Sequence, residues 1–262
     1  MSELKHQILQ QLPYLRRYAR ALTGSQKTGD GLIRDSLERL LENPQHFEAR
    51  GRPGLGLFKL FHETIGQPVT AMAELTGVSD PMQRRVGERL AELSPADRQA
   101  LLLVHQEGFS PAEAGEILGL EVEEVERHID HAWADLKRQP AADVLIIEDE
   151  PVIAMDVAQI VRGLGHRIIG IASRASEAVA KAREAKPGLI LADIQLADGS
   201  SGITAVQTIL KGAEVPVVFV TAYPERLLTG ETLEPAFVVT KPFDAASIEV
   251  AVSQALFLAR RG

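Results

Sequence analysis

Apolar residues recur at helical spacing through the first 65 positions. Leu12, Leu15, Tyr18, Ala19 and Leu22 fall on one face of a helix, and Leu32, Ile33, Leu37, Leu40 and Leu41 on the face of another. Breaks are expected at Thr23-Gly24, at Asn43-Pro44 and in the glycine-rich stretch from Gly51 to Gly56, before a short third helix holding Leu57, Phe58, Leu60 and Phe61. From Pro68 to Pro81 the periodicity weakens, and this stretch reads as a connection with room for a short helix of its own. Ser94-Pro95-Ala96-Asp97 and Ser110-Pro111-Ala112-Glu113 then each put serine at an N-cap, proline at the first helical position and an acid at the third, marking two helix starts. The second of these helices stops at Gly119. A third follows through Val122, Val125, Ile129, Ala132, Trp133 and Leu136, giving a helix-turn-helix pattern.

Beyond Gln139-Pro140-Ala141-Ala142 the period changes. Val144 to Ile147, Ile168 to Ala172, Leu189 to Ala192, Val215 to Val220 and Phe237 to Thr240 are short apolar, partly β-branched runs separated by helical stretches. Five such βα units predict a doubly wound, flavodoxin-like α/β domain with five parallel strands. The expected organisation is therefore an all-α region over 1–67, a linker over 68–87, a helix-turn-helix domain over 88–138 and the α/β domain over 142–262.

A chain of 262 residues with 45% hydrophobic and 24% charged residues can bury more than one core. It has no cysteine, which excludes disulfides, thiolate metal sites and cysteine catalysis. The N-terminus carries no targeting signal. The longest apolar run, Val215 to Val220, falls short of the roughly 20 residues that a membrane span needs, so a cytoplasmic protein without membrane contact is expected. The net charge of −8 is unevenly spread: residues 1–87 hold 12 Lys/Arg against 9 Asp/Glu, residues 88–138 hold 5 against 12, and residues 139–262 hold 11 against 15. The helix-turn-helix segment is thus the acidic one.

Chemistry in doubly wound sheets gathers at the carboxyl ends of the strands. Here the first run ends in Glu148-Asp149-Glu150, the third in Asp193, the fourth in Thr221 and the fifth in Lys241-Pro242. Clustered carboxylates repel one another unless a hard cation lies between them, and Mg2+ suits one or two carboxylates with waters and phosphate oxygens. Asp149 and Asp193 are candidate direct ligands, Glu148 an outer or water-mediated one, and the backbone carbonyl of Gln195 a further one. Asp193 is the candidate nucleophile for a phosphoryl group, Lys241 the cation that offsets its charge, and Thr221 the hydroxyl that senses it. Taken singly, Asp149, Lys241 and Thr221 could equally be a solvated acid, a surface lysine and a helix cap; taken together and in order they form a site. Residues 142–262 accordingly resemble a response-regulator receiver domain. Many receivers carry an aromatic residue three positions before the lysine, where this chain has Val238. Phe219-Val220-Thr221-Ala222-Tyr223 resembles an atypical subgroup with its aromatic just after the threonine, which makes Tyr223 the substitute switch. A phosphohydrolase with an aspartyl nucleophile typically has a second acid where this chain has Gln195, and ranks lower.

Residues 7–66 resemble region 2 of an extracytoplasmic function (ECF) sigma factor, through Leu15-Arg16-Arg17-Tyr18-Ala19-Arg20-Ala21-Leu22-Thr23-Gly24. Residues 93–138 resemble sigma region 4, from Leu93-Ser94-Pro95-Ala96-Asp97-Arg98-Gln99 through Glu116-Ile117-Leu118-Gly119-Leu120. A promoter-reading helix draws affinity from lysine and arginine against phosphate. The last helix instead has Glu121, Glu123, Glu124, Glu126, Asp130 and Asp135 against Arg127, Lys137 and Arg138, with four acids at the end where base contacts are made. Sigma-like helices followed by a receiver resemble the PhyR family of alphaproteobacterial general stress response regulators. That resemblance implies a non-enzymatic partner switch. A sensor histidine kinase phosphorylates Asp193, the protein opens, and the sigma-like part sequesters a small anti-sigma factor of the NepR type, freeing an ECF sigma factor without binding DNA itself. Leu227, Leu228 and the final helix from Ala245 to Ala259 are candidates for transmitting the signal. The alternative is a receiver-controlled, DNA-binding transcription initiator.

Overall fold

The computed structural model of the chain describes residues 2–42, 54–66, 94–136, 140–224, 227, 235 and 237–259. The expected linker over 68–87, the break at Asn43-Pro44, Leu228 and the Lys137-Arg138 end of the acidic helix lie outside them. The chain divides into a helical unit, Met1–Asp135, and an α/β unit formed by Leu136–Leu227 with Pro235–Gly262. Among the described residues no helix is long and apolar enough to cross a membrane.

The helical unit contains α1 (Ser2–Thr23), α2 (Gln26–Glu42) and α3 (Leu55–Ile65). It continues with α4 (Pro95–Leu101), which runs into a π-helical turn at Leu102–Gln106, and then α5 (Pro111–Leu118) and α6 (Val122–Leu136). Gly24, at φ 68°, turns the chain after α1, and Gly29 lets α2 approach α1 closely, because a Cβ there would lie 3.1 Å from the Ala19 carbonyl carbon. Leu15, Tyr18, Ala19 and Leu22 bury the predicted face of α1 against Ile33, Phe58 and Phe61. Leu102, Leu103, Phe109, Ala114, Ile117 and Val125 belong to the same cluster, so the two helical segments share one core. Tyr18 lies 5.3 Å from Phe58 and 6.0 Å from Phe61, ring centre to ring centre.

Several polar groups inside this core reach across the segments. Arg17 of α1 meets Glu107 through Nε–Oε1 and Nη2–Oε2 at 3.1 and 2.8 Å, and Nη2 also donates to the Gln106 carbonyl at 3.0 Å. Both side chains are buried, at 4% and 2% exposure. The π-helical turn, closed by Glu107 N–H to Leu102 O at 3.0 Å, sets the backbone of Glu107 for this contact. Arg98 of α4 donates to the Ala21 carbonyl, and burial pushes its guanidinium down to about 9. Burial also pushes His62 down to about 3, so a neutral imidazole shares the 2.7 Å bond with the Tyr18 hydroxyl.

Both marked helix starts form, and they differ in detail. Ser110 completes a capping box with Glu113. Ser94 precedes α4 without a side-chain cap bond; its third-position acid, Asp97, is instead held by His128 Nδ1 of α6 at 2.5 Å. On α6 the core takes Val125, and Glu121, Glu123, Glu126 and Asp130 are exposed.

In the α/β unit, β1 (Asp143–Ile147), β2 (Arg167–Ala172), β3 (Leu189–Ala192), β4 (Val217–Thr221) and β5 (Phe237–Thr240) form one parallel sheet in the order β2-β1-β3-β4-β5. α7 (Pro151–Gly163) follows β1, α8 (Ala175–Ala185) follows β2, α9 (Gly202–Leu210) follows β3 and α10 (Ala245–Ala259) follows β5, while most of the expected helical stretch between β4 and β5 lies outside the described residues. One face buries Val144, Ile146, Leu191, Val218, Val220 and Val239 against Val157 and Val161 of α7 and Ile248, Val252 and Ala255 of α10. Leu145, Ile147, Ile190, Phe219 and Val238 are buried as well, which is why these strands read as unbroken apolar runs. The fourth strand begins and ends later than its apolar run, so Thr221 is its last residue.

The Arg17–Glu107 pair yields a first prediction. Glu107→Ala leaves a buried guanidinium without its counter-charge and is expected to cost about 3 to 5 kcal/mol. Removing the half-exposed partner in the Arg16–Asp30 pair (12% and 40% exposure) should cost under about 1 kcal/mol. Chemical denaturation followed by far-UV circular dichroism measures both.

Candidate functional site

The strand order reverses between β1 and β3, and the crevice outside their carboxyl ends is where such sheets hold ligands. Three backbone bonds extend the sheet past the strands: Glu148 N–H to Ala172 O at 2.9 Å, Asp193 N–H to Ile147 O at 2.8 Å, and Lys241 N–H to Thr221 O at 2.8 Å. The first polar residues after β1, β3 and β5 are thereby set side by side. The Lys241 ammonium donates 2.7 Å bonds to Glu148 Oε2 and to Asp193 Oδ2. These side chains are 11%, 3% and 11% exposed, so the pairs act with little screening by water.

Burial raises the Glu148 pKa above the usual carboxylate range, and the bond to Lys241 and its charge pull it part of the way back. Burial alone would lower Lys241, but its bonds to Asp193 and Glu148 and their charges outweigh it and hold the ammonium pKa above its ordinary value. Asp193 Oδ1 accepts from Ile194 N–H at 2.5 Å and Gln195 N–H at 3.4 Å, which fixes the carboxylate's direction.

One carboxylate oxygen each from Glu148, Asp149 and Asp193 lie within 4.8 Å of one another. An all-oxygen, multiply charged donor set fits a hard divalent cation such as Mg2+. Thr221 is fully buried, and its Oγ1 accepts from Tyr223 N–H at 3.2 Å. Tyr223 itself is 43% exposed, whereas Val238 on β5 is 1% exposed. Gln195 is exposed beside Asp193 and pairs with Ser201 in an antiparallel bridge. The sequence-expected residues thus fall into a close group of Glu148, Asp149, Asp193 and Lys241, with Thr221, Tyr223 and Gln195 on the flanking loops and strand end. Sequence reasoning did not single out Gly202. A Cβ at that position would stand 1.8 Å from the Asp193 carbonyl oxygen, and glycine type alone, at 21 positions, is too common a signal to find it.

A doubly wound sheet with three acids, a threonine and a lysine at its strand ends, preceded by a helical unit, is the build of a response regulator with a receiver domain. The profile of the response regulator receiver domain matches residues 144–253, that of the sigma2 domain of PhyR residues 8–62, and that of the response regulator PhyR sigma-like domain residues 90–139. The phyllosphere-induced regulator PhyR of Methylorubrum extorquens is 49% identical over 253 residues, covering 95% of this chain and 93% of its own. The crystal structure described as anti-anti-sigma factor PhyR from Bartonella quintana is 44% identical with TM-score 0.81, covering 97% of this chain and 96% of its own. The structure described as the PhyR stress response regulator is 45% identical with TM-score 0.80, covering 98% of both. The chain belongs to the PhyR family.

Lys241→Met, studied with a chelator present, removes the cation between Glu148 and Asp193. The folded-state pKa of Glu148, already raised, then climbs further. Stability linked to a raised pKa is intact below the unfolded carboxylate's pKa and is lost as pH rises through the folded value. The variant's deficit relative to wild type is therefore expected to widen between pH 5 and pH 8, by about 1.4 kcal/mol for each tenfold change in proton affinity. Thermal unfolding at both pH values measures this, and a pH-independent deficit contradicts it.

Proposed function

We propose that this chain is a phosphorylation-activated regulator of the general stress response that works by partner switching in the cytoplasm. A sensor histidine kinase supplies a phosphoryl group to Asp193. The protein then opens, and its sigma-like part binds and sequesters a small anti-sigma factor of the NepR type, releasing an ECF sigma factor. The observation that carries this reading is the exposed acidic edge of α6, formed by Glu121, Glu123, Glu126 and Asp130. A helix in the promoter-reading place that presents carboxylates repels the phosphate backbone, while the sigma-like form stays available to whatever binds sigma factors. The description of a relative as an anti-anti-sigma factor supports the same conclusion.

At the receiver, Asp193 is the phosphoacceptor, directed by the Ile194 and Gln195 N–H groups. Mg2+, when bound, would offset the charge of the transferring oxygens; Asp149, Asp193, the Gln195 carbonyl and, as an outer ligand, Glu148 would hold it. The Lys241 ammonium donates to Asp193 Oδ2 and supplies positive charge where the phosphoryl oxygens arrive. Thr221 has a hydroxyl hydrogen to give to the modified aspartate, and Tyr223, whose backbone N–H already touches Thr221 Oγ1, is the residue that follows its movement. A shift of a few kcal/mol between closed and open states is enough for such a switch. The role is that of a phosphoacceptor that turns over, at most, its own phosphoryl group.

Acetyl phosphate with Mg2+ is expected to label the wild-type protein, and Asp193→Ala to abolish labelling; an acyl phosphate retained in the variant would move the site elsewhere. In a pull-down the labelled protein, but not Asp193→Ala, should retain a purified anti-sigma factor of the NepR type. Tight binding of promoter duplex at ordinary salt by the whole chain would favour the transcription-initiator alternative. For Tyr223, Phe should preserve phosphorylation-dependent capture better than Ala, with equal capture by both pointing to packing alone.

A further inference from the structure

We propose that Gly202 is a positioning residue for the Asp193 site, setting through a single peptide plane both the direction of the phosphoacceptor carboxylate and the grip on a divalent cation. This rests on the phosphoacceptor reading above. Residues 193–202 leave β3 and return to the start of α9 as a closed hairpin. Gly202 N–H donates to the Ile194 carbonyl at 2.9 Å, Leu196 N–H to Ser200 O at 3.3 Å, and Gly199 N–H to Leu196 O at 2.9 Å, with Gln195 and Ser201 bridged between them. Ser200 Oγ accepts from Ala175 N–H at 3.2 Å and donates to Asp198 Oδ1 at 2.5 Å. It thereby ties the hairpin to the first turn of α8, whose own N-cap residue, Arg174, makes no side-chain cap bond.

The close approach falls on the nucleophile itself. A Cβ on Gly202 would stand 1.8 Å from the Asp193 carbonyl oxygen and 3.0 Å from its carbon. That carbonyl belongs to the same peptide as Ile194 N–H, which holds Asp193 Oδ1 at 2.5 Å. In a planar trans peptide C=O and N–H point in opposite directions. Any rotation that frees space for a side chain at 202 therefore swings the N–H away from the carboxylate it directs. The next peptides along carry Gln195 N–H, the second donor to Oδ1, and the Gln195 carbonyl. At Gly115, by comparison, an added Cβ would stand 2.6 Å from the Leu120 carbonyl oxygen.

Manganese binding, followed by the electron paramagnetic resonance of free Mn2+, tests this on the full-length protein. Gly202→Ala is expected to weaken Mn2+ on the order of tenfold, the scale of losing support behind a metal ligand, and to raise the Mg2+ concentration for half-maximal labelling by acetyl phosphate by a similar factor. Gly163→Ala, where an added Cβ meets nothing within 4 Å, should match wild type in both. Far-UV circular dichroism reports whether Gly202→Ala folds; should it not, Ser200→Ala loosens the same hairpin without adding volume and should weaken Mn2+ in the same direction. Wild-type Mn2+ affinity in folded Gly202→Ala, or in Ser200→Ala where that variant decides, overturns the positioning role alone. Wild-type protein that binds Mn2+ but takes no phosphoryl group overturns the reading beneath it.

Discussion

Two carboxylates drawn out of water beside each other are unfavourable unless a cation stands between them, and the α/β unit meets that condition with a lysine from a distant strand. Glu148 follows β1, Asp193 follows β3, and the register that pairs Ile147 with Ala192 puts the two acids at the same height. Lys241 follows β5, two strands from β3, and bonds to both acids with its ammonium. An edge-strand residue is thereby made sensitive to the charge on Asp193. A group that changes this charge changes what Lys241 holds, and Lys241 N–H is bonded in turn to the carbonyl of Thr221. Asp193 and Thr221 are thus linked through Lys241 by contacts of about 3 Å.

A second buried charge pair organises the helical unit. Arg17 and Glu107 are 90 residues apart and join α1 to the turn after α4. Burying an ion pair is roughly neutral beside a good apolar contact, but breaking one is costly. Such a pair adds specificity to the arrangement more than raw stability. With Tyr18, Phe58, Leu102 and Val125 in one cluster, it holds the two sigma-like segments as one body, so that a partner meets both segments at a fixed spacing.

The strands and the site acids are legible in the sequence for one reason. A strand buried on both faces is written as an unbroken apolar run, and the first polar residue after it lies at the carboxyl edge of the sheet. Glu148, Asp193 and Lys241 are found this way, with Asp149 one position further on; the face of α1 through Leu15, Tyr18 and Leu22 is legible from its helical period instead. Features that depend on meeting across the fold are not. The twin serine-proline motifs look alike, yet Ser110 closes a capping box, whereas near Ser94 the acid is claimed by His128, a residue 31 positions on. Glu107 gives no local hint of burial, because its partner and the widened turn that presents it are both tertiary. Gly202 is invisible until the Asp193 carbonyl has a position.

The acidity of α6 is legible for the opposite reason, and it has the widest functional reach. A charged residue is exposed by default, since burial without a partner costs too much, so the charge of a helix edge can be counted from composition once its apolar face is assigned. Val125 faces the core, and Glu121, Glu123, Glu126 and Asp130 do not. Glu123 and Glu124 in the first turn of α6 also favour its dipole, so their charge costs the fold little. It is free to be set by what the helix must meet or avoid. A sigma-like packing is therefore compatible with an acidic α6 edge, whose surface carboxylates no core contact constrains and whose charge disfavours the approach of a phosphate backbone.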